Sequence, residues 1–286
     1  MKISDNCIIC KNIKLLKRPA ILMPFIADRI FEWTPFFLED KFNLRSIKTG
    51  IVYSNVNSCY CEICHLIYLD MRFDKDEVKK LYKDYRGSKY NELRIKYEPE
   101  YKEVDNYLNN IYPIENRKKT EKYLNEYLET PSEILDWGGG DGRNTPFFED
   151  KNIKIDIFEI SEKKDTKISN ILFINKVEKK YELITALHVF EHVPYPLDLL
   201  NEINQALKIN GYIYIEVPFE NIMRNFIHPI NEKNHWHEHI NFYSPLSLEI
   251  MLSKSKLKII NISTQDISDN FRDCHIIRAL AQKIYE

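Results

Sequence analysis

The stretch Ile134-Leu135-Asp136-Trp137-Gly138-Gly139-Gly140-Asp141-Gly142 decides the fold. A short apolar run ends in an acid and then a turn that holds four of the chain's seven glycines. Glycine is used where φ must be positive or where a ligand must approach the backbone. Glu133 to Trp137 therefore reads as a strand and the glycines as its exit turn. Open α/β sheets bind ligands in the crevice at that end, where turn amides and helix N-termini face outward. Glu159 closes a second apolar run, Ile153 to Phe158, about twenty residues on, where an acid suits a ribose diol. Turn and acid together point to a nucleoside pocket. Asp136 either accepts from a ligand ammonium or hydroxyl, or caps the turn.

Outward from this point, strand and helix signals alternate. Ile171 to Ile174, Leu183 to Leu187 and Tyr212 to Val217 read as strands. Pro196 to Leu207, closed by Asn210-Gly211, and Ser244 to Lys254 read as helices, and Leu257 to Ile262 with Cys274 to Leu280 as a final pair. Such alternation predicts a parallel α/β sheet covered on both faces. Upstream, Ile114 to Glu129 has helical spacing and Pro131 ends it. Asp74 to Asn110 is helical, charged and rich in tyrosine (Tyr82, Tyr85, Tyr90, Tyr97, Tyr101, Tyr107), mostly as packing residues. Residues 15–50 read as irregular or short-stranded, with Pro19, Pro24 and Pro35 opposing any helix. The organisation expected is a cysteine-bearing module over 1–72, a helical lid or linker over 73–130, and an α/β core over 131–286.

Composition narrows the partners. The 286 residues carry 41 Lys and Arg against 43 Asp and Glu, a net charge of −2. Nucleic-acid or anionic-membrane binding needs clustered positive charge, which that balance does not supply. The apolar stretch Ala20 to Ala27 is interrupted by Pro24, and nothing approaches the ~18 apolar residues of a membrane span. No signal peptide precedes the first cysteine, so a cytoplasmic protein is expected. The sequence leaves the oligomeric state open.

Tyr181-Glu182-Leu183-Ile184-Thr185-Ala186-Leu187-His188-Val189-Phe190-Glu191-His192-Val193, a helix, and then Leu207-Lys208-Ile209-Asn210-Gly211-Tyr212-Ile213-Tyr214-Ile215-Glu216-Val217-Pro218 resemble the class I S-adenosylmethionine-dependent methyltransferases. Asp-x-Gly-x-Gly-x-Gly at 136–142 is similar to that family's first motif, and the resemblance spans 114–263. A P-loop would need Gly-Lys-Ser/Thr after the turn, and a nicotinamide fold Gly-x-Gly-x-x-Gly. The resemblance implies S-adenosylmethionine as cofactor. Gly138, Gly140 and Gly142 would line it, Asp136 would lie near its amino group, and Glu159 would take the ribose. Leu187 and His188 would lie beside the sulfonium. An acid after the third strand is missing, and Asn175 is the nearest substitute. Glu191 and His192 read equally as cap and packing residue or as ligand contacts.

The cysteines form a second module. Cys7-x-x-Cys10 and Cys61-x-x-Cys64 are paired knuckles of the kind that give zinc its four soft ligands, and an intracellular setting favours metal over disulfides. Cys59 and His65 are spare donors, with a buried free thiol the plain reading of Cys59. Cys274 is expected to pack in the last strand pair. The knuckles, the Pro-bearing loop and His65-Leu66-Ile67-Tyr68-Leu69 are similar to sugar C-methyltransferases with an N-terminal zinc module. Those commonly have glycine at the position of His65 and continue into a second α/β domain that is not found here.

The acceptor side is expected at Asn234-His235-Trp236-His237-Glu238-His239-Ile240-Asn241-Phe242-Tyr243-Ser244, with His228 nearby. Histidine can take a proton at neutral pH, which a hydroxyl or carbon-acid acceptor needs in the transition state. The same resemblance places a Glu-His pair there, implying His239 as general base and Glu238 as its orienting carboxylate or a ligand to the acceptor, with Tyr85 or Tyr90 reaching in from the lid. A second metal site at His235, His237 and His239, or a structural role for these imidazoles, are the alternatives. The reading is methyl transfer to a small polar acceptor, by O-methylation of a nucleotide-activated or surface-polysaccharide sugar, or of a capsule-type phosphoramidate carried on a nucleotide. Sugar C-methylation and a non-catalytic partner-binding module are the alternatives. RNA methylation would rest on Lys11, Lys14, Lys17 and Arg18, which read as a solvated face.

Overall fold

The computed structural model describes residues 1–42, 47–103, 112–161, 170–268 and 273–285. Tyr107 lies outside them.

Residues 133–283 build a seven-stranded sheet. In spatial order its strands are Ile171–Ile174, Lys154–Phe158, Glu133–Trp137, Tyr181–Leu187, Leu207–Pro218, His275–Lys283 and Leu257–Asp266. The first five run parallel, and His275–Lys283 is antiparallel to both of its neighbours. The sheet is therefore mixed, which corrects the expectation of a wholly parallel one. The reason lies in the connection: Leu257–Asp266 and His275–Lys283 are sequential, and a short link between neighbours makes a hairpin, whereas a parallel pair needs a crossover.

Continuous apolar runs give each central strand two buried faces. Leu135, Ile184, Ala186, Ile213 and Ile215 pack on one face with Leu199, Leu200 and Ile203 of the helix Pro196–Ala206. Ile134, Leu183, Tyr214 and Leu280 pack on the other with Tyr123 and Leu124 of the helix Tyr112–Leu124. That helix, which falls within the segment expected as lid or linker, covers the large sheet.

Before residue 73 the chain forms a smaller sheet, and here the sequence reading needs one correction. Pro24 opens the helix Pro24–Phe31 instead of blocking one. Proline's fixed φ suits the first helical position, where its missing N–H costs no hydrogen bond. Pro19 sits within the strand Leu15–Leu22, opposite Asn57. Among the described residues only Ile21 and Leu22 of that strand pair on its other side, so Pro19 lies at an open edge, where proline is tolerated.

This smaller sheet is not made by the N-terminal segment alone. Its order is His235–Trp236, Leu15–Leu22, Asn55–Cys61, Ile67–Leu69, Asn241–Phe242, so both edge strands come from the histidine-rich segment expected on the acceptor side. Trp236 is fully buried there, and its indole N–H donates to Ser58 Oγ at 2.8 Å. No helix among the described residues is long and apolar enough to cross a membrane.

Candidate active site

The glycine turn follows the first strand of the large sheet. Gly138, Gly140 and Gly142 have φ of +74°, +58° and +83°, where a side chain is strained. Their surroundings differ. A Cβ on Gly142 would meet Ile157 and Ile171, and one on Gly138 would meet Val189. At Gly140 it would meet nothing within 4 Å. Gly140 therefore presents bare backbone to open space. Glu159 ends the next strand beside it, with one carboxylate oxygen 3.0 Å from the Gly140 amide and the other 2.8 Å from that of Ser161. An open backbone cradle with a carboxylate at its rim fits a nucleoside-bearing cofactor.

Asp136 does not face that cradle. It is 1% exposed, and its carboxylate accepts from the hydroxyls of Thr145 and Thr185, the latter at 2.7 Å. A Cβ on Gly139 would collide with the same carboxylate. Asp136 supports the turn from beneath, the structural role left open for it. Burial pushes its carboxyl up to about 6 against the lowering effect of the two threonines. Asn175 lies instead in a cavity of about 420 Å³ with Trp137, Phe158 and Val177.

Leu187 ends the fourth strand and is buried, and His188 follows with φ +54°. His188 is held by carboxylates on both sides: Nε2 is 3.1 Å from Glu216 and Nδ1 is 3.4 Å from Glu191. Burial would lower its pKa, but Glu191 and Glu216 together raise it to about 10, so it is an imidazolium at neutral pH. Glu216 is fully buried and also takes Asn116 Nδ2 at 2.7 Å and Tyr214 OH at 2.9 Å. Sequence reading missed Glu216. Its only signal was an acid inside an otherwise apolar strand, which a buried charge occupies only when paired.

The histidine-rich segment 234–244 is clamped to the exit of this fourth strand. Ile240 N–H donates to the Glu191 carbonyl at 2.8 Å, and Asn241 donates to the carbonyls of Phe190 and Val193. The clamp brings His239 against His192, with ring centroids 4.8 Å apart and nearly perpendicular. Each imidazole is oriented through Nδ1, His192 on the Glu238 carbonyl at 3.0 Å and His239 on Glu220 Oε1 at 2.7 Å. Glu220, Glu191 and Glu238 raise the His239 pKa against the burial that lowers it. The carboxylate that orients His239 is thus Glu220, and the expectation for Glu238 is corrected.

Glu238 turns instead into the tyrosine-rich segment, where Tyr90 OH donates to one oxygen and Arg94 Nη1 to the other at 2.9 Å. Burial would raise its pKa, but His237, Arg94, His192 and Tyr90 hold it down at about 2. Tyr90 makes this contact rather than Tyr85, whose ring packs edge-on against Tyr82 and Tyr90. Tyr82 packs its ring edge-on against His192, and its hydroxyl has no hydrogen-bond partner among the described residues. The other histidines do not join His239. His237 is bound to Glu98 at 2.5 Å and His235 to Asn234 at 2.9 Å, so the expected alternative metal set does not converge.

The cysteines do converge. Sγ atoms of Cys7 and Cys64 are 3.5 Å apart, those of Cys10 and Cys61 are 3.4 Å apart, and all four lie within 4.8 Å of one another. A tetrahedron with ~2.3 Å Zn–S bonds has edges of about 3.8 Å, so the donor set fits zinc. The two knuckles are built alike. The Lys11 amide donates to the Cys7 carbonyl and the His65 amide to the Cys61 carbonyl, with φ of +66° and +57° at those residues. His65 thus adopts the conformation for which glycine is common, and its ring stacks on Tyr60. Cys59 is buried apart from the four, and burial pushes its thiol to about 11. Cys274 precedes the last strand and is half-buried.

A protein-family model described as a methyltransferase domain matches residues 111–262. No curated protein matches the chain. The structure is similar to that of Burkholderia thailandensis 1,6-didemethyltoxoflavin-N1-methyltransferase, solved with bound 1,6-didemethyltoxoflavin and S-adenosylhomocysteine. The two are 13% identical over 80% of this chain and 96% of that one, with a TM-score of 0.53. A SAM-dependent methyltransferase from Methanosarcina mazei is 15% identical over 57% of this chain and 98% of that one, with a TM-score of 0.43. At these identities the likeness is one of fold.

Proposed function

Since the chain belongs to the methyltransferase-domain family and is an S-adenosylmethionine-dependent methyltransferase, we propose that it methylates a hydroxyl of a small polar acceptor, with His239 as general base. The acceptor class we propose is a nucleotide-activated or surface-polysaccharide sugar. When bound, the cofactor supplies a methyl group on a sulfonium, open to in-line displacement. Gly138, Gly140 and Glu159 would hold it, with Leu187 and His188 at its reacting end. We further propose structural zinc at Cys7, Cys10, Cys61 and Cys64.

One observation carries the base assignment: the Glu220–His239 pair at 2.7 Å. Nδ1–H donates to the carboxylate, which fixes the tautomer and leaves Nε2 free to take the acceptor's proton. The imidazole is the most accessible member of the cluster, at 39% side-chain exposure, against 17% for His192. Glu220 stabilises the imidazolium that forms. Tyr90, Arg94 and Glu238 brace the wall behind it as a neutralised set.

The test is label transfer from S-adenosylmethionine to a panel of sugar nucleotides, with wild type and His239→Gln. General bases contribute roughly 100- to 10,000-fold, so kcat should fall by that order while S-adenosylhomocysteine affinity stays near wild type. A variant that keeps its rate, or that loses cofactor affinity instead, would refute the assignment. Methyl groups found on carbon in the product would overturn O-methylation and leave the base in place.

A further inference from the structure

We propose that Glu191, His192 and His239 form an exchangeable divalent-cation site overlapping the acceptor pocket, and that zinc bound there inhibits methyl transfer. The inhibition rests on His239 being the base; the site does not. Glu191 is 1% exposed, and neither of its carboxylate oxygens has a hydrogen-bond partner among the described residues. Its neighbours are imidazole nitrogens, His188 Nδ1 at 3.4 Å and His192 Nε2 at 3.9 Å. The His188 imidazolium meets Oε1, which leaves the lone pairs of the buried Oε2 unused, a costly arrangement unless a second positive group meets them.

The two imidazoles are already arranged as ligands. Each has Nδ1 committed to an oxygen, a backbone carbonyl for His192 and a carboxylate for His239. That outer-shell pattern fixes the tautomer in which Nε2 offers its lone pair to a metal. One donor atom from each of the three residues lies within 4.8 Å of the other two. Zinc–nitrogen bonds of ~2.0 Å give tetrahedral edges of about 3.4 Å, so the donors need to draw together by about an ångström. Side-chain rotation can do that, because the backbones are locked by Ile240 N–H on the Glu191 carbonyl. Two imidazoles and one carboxylate suit zinc, cobalt or nickel better than magnesium or calcium. A cation on Nε2 of His239 takes the lone pair that would receive the acceptor's proton.

The experiment uses the full chain with its cysteine-bound zinc in place and titrates it with Co2+. We expect one further equivalent, with weak visible bands and no added thiolate charge-transfer absorption. His192→Gln and Glu191→Gln should each weaken that binding at least tenfold, and His237→Gln should not. S-adenosylhomocysteine affinity, unchanged in His192→Gln, certifies its fold should Glu191→Gln fail to fold. Absence of the further equivalent, or its persistence in both variants, would overturn the site. In the transfer assay micromolar Zn2+ should inhibit, reversibly on adding a weak chelator. Stimulation would overturn the inhibition and the His239 base together, and the Co2+ titration would show whether the site survives.

Discussion

Asp136→Asn separates two roles for one carboxylate. The sequence motif implies contact with the cofactor's amino group, whereas the structure bonds Asp136 to Thr145 and Thr185 beneath the turn. Burial raises its pKa from 3.8 to about 6. A folded-state pKa above the unfolded one gives stability that is full below pH 4 and lost as pH climbs through 6. For this fully buried group the loss comes to about 3 kcal/mol at 1.36 kcal/mol per pKa unit. The assay is urea unfolding of wild type and Asp136→Asn at half-unit steps from pH 4 to 8. The free-energy difference between them should shift by about 2.4 kcal/mol in the variant's favour between pH 4 and 7, part of the full loss having already occurred by pH 4. The pH dependence of the difference is the signal, because any fixed offset only measures how well Asn satisfies two hydroxyls. S-adenosylhomocysteine affinity should stay within a few-fold of wild type. A flat difference combined with loss of cofactor affinity would refute the reasoning and restore Asp136 to the ligand.

Other variants probe other links. Gly140→Ala adds a methyl to open space at φ +58°; we expect about 1–2 kcal/mol of backbone strain and a cofactor affinity at least tenfold weaker by calorimetry. Gly142→Ala aims its methyl at Ile157 and Ile171, so its melting temperature should fall further. Cys61→Ser removes one of four converging thiols; zinc content should fall to near zero and the chain should aggregate, since structural zinc contributes on the order of 10 kcal/mol to folding. Glu216→Gln strips His188 of its 3.1 Å partner. Breaking such a buried pair costs about 3–5 kcal/mol, and the gap to wild type should narrow as pH rises from 6.5 through 10, where His188 loses its charge.

What the sequence discloses follows from the range of the forces involved. Apolar runs broken by turn residues announce strands locally, and Glu133–Trp137 and Ile171–Ile174 fall where they are expected. The glycine turn and both cysteine knuckles are local in the same sense, because each is a backbone conformation with its own residue requirements. Pairing across the chain is not local. Nothing near His239 in sequence indicates that its carboxylate would come from Glu220, nor that Glu238 would turn away to Tyr90 and Arg94. Those partnerships exist because Asn241 and Ile240 fasten one loop to the Phe190–His192 turn. The antiparallel last strand was missed for a simpler reason: strand direction is a property of the connection, and apolar patterning does not encode it.

The smaller sheet has a consequence for how this protein can change. Its two rim strands, His235–Trp236 and Asn241–Phe242, flank the residues that would meet the acceptor, while its interior strands carry Cys61 and lead to Cys64. Recombination at residue 72 or 130 would leave a sheet without rims on one side and a recognition loop without a scaffold on the other. The segment proposed to meet the acceptor and the cysteine module thus share one sheet and must change together. A chimaera that imports a new specificity must exchange residues 1–72 and 219–243 as one unit, although nearly 150 residues of chain separate them.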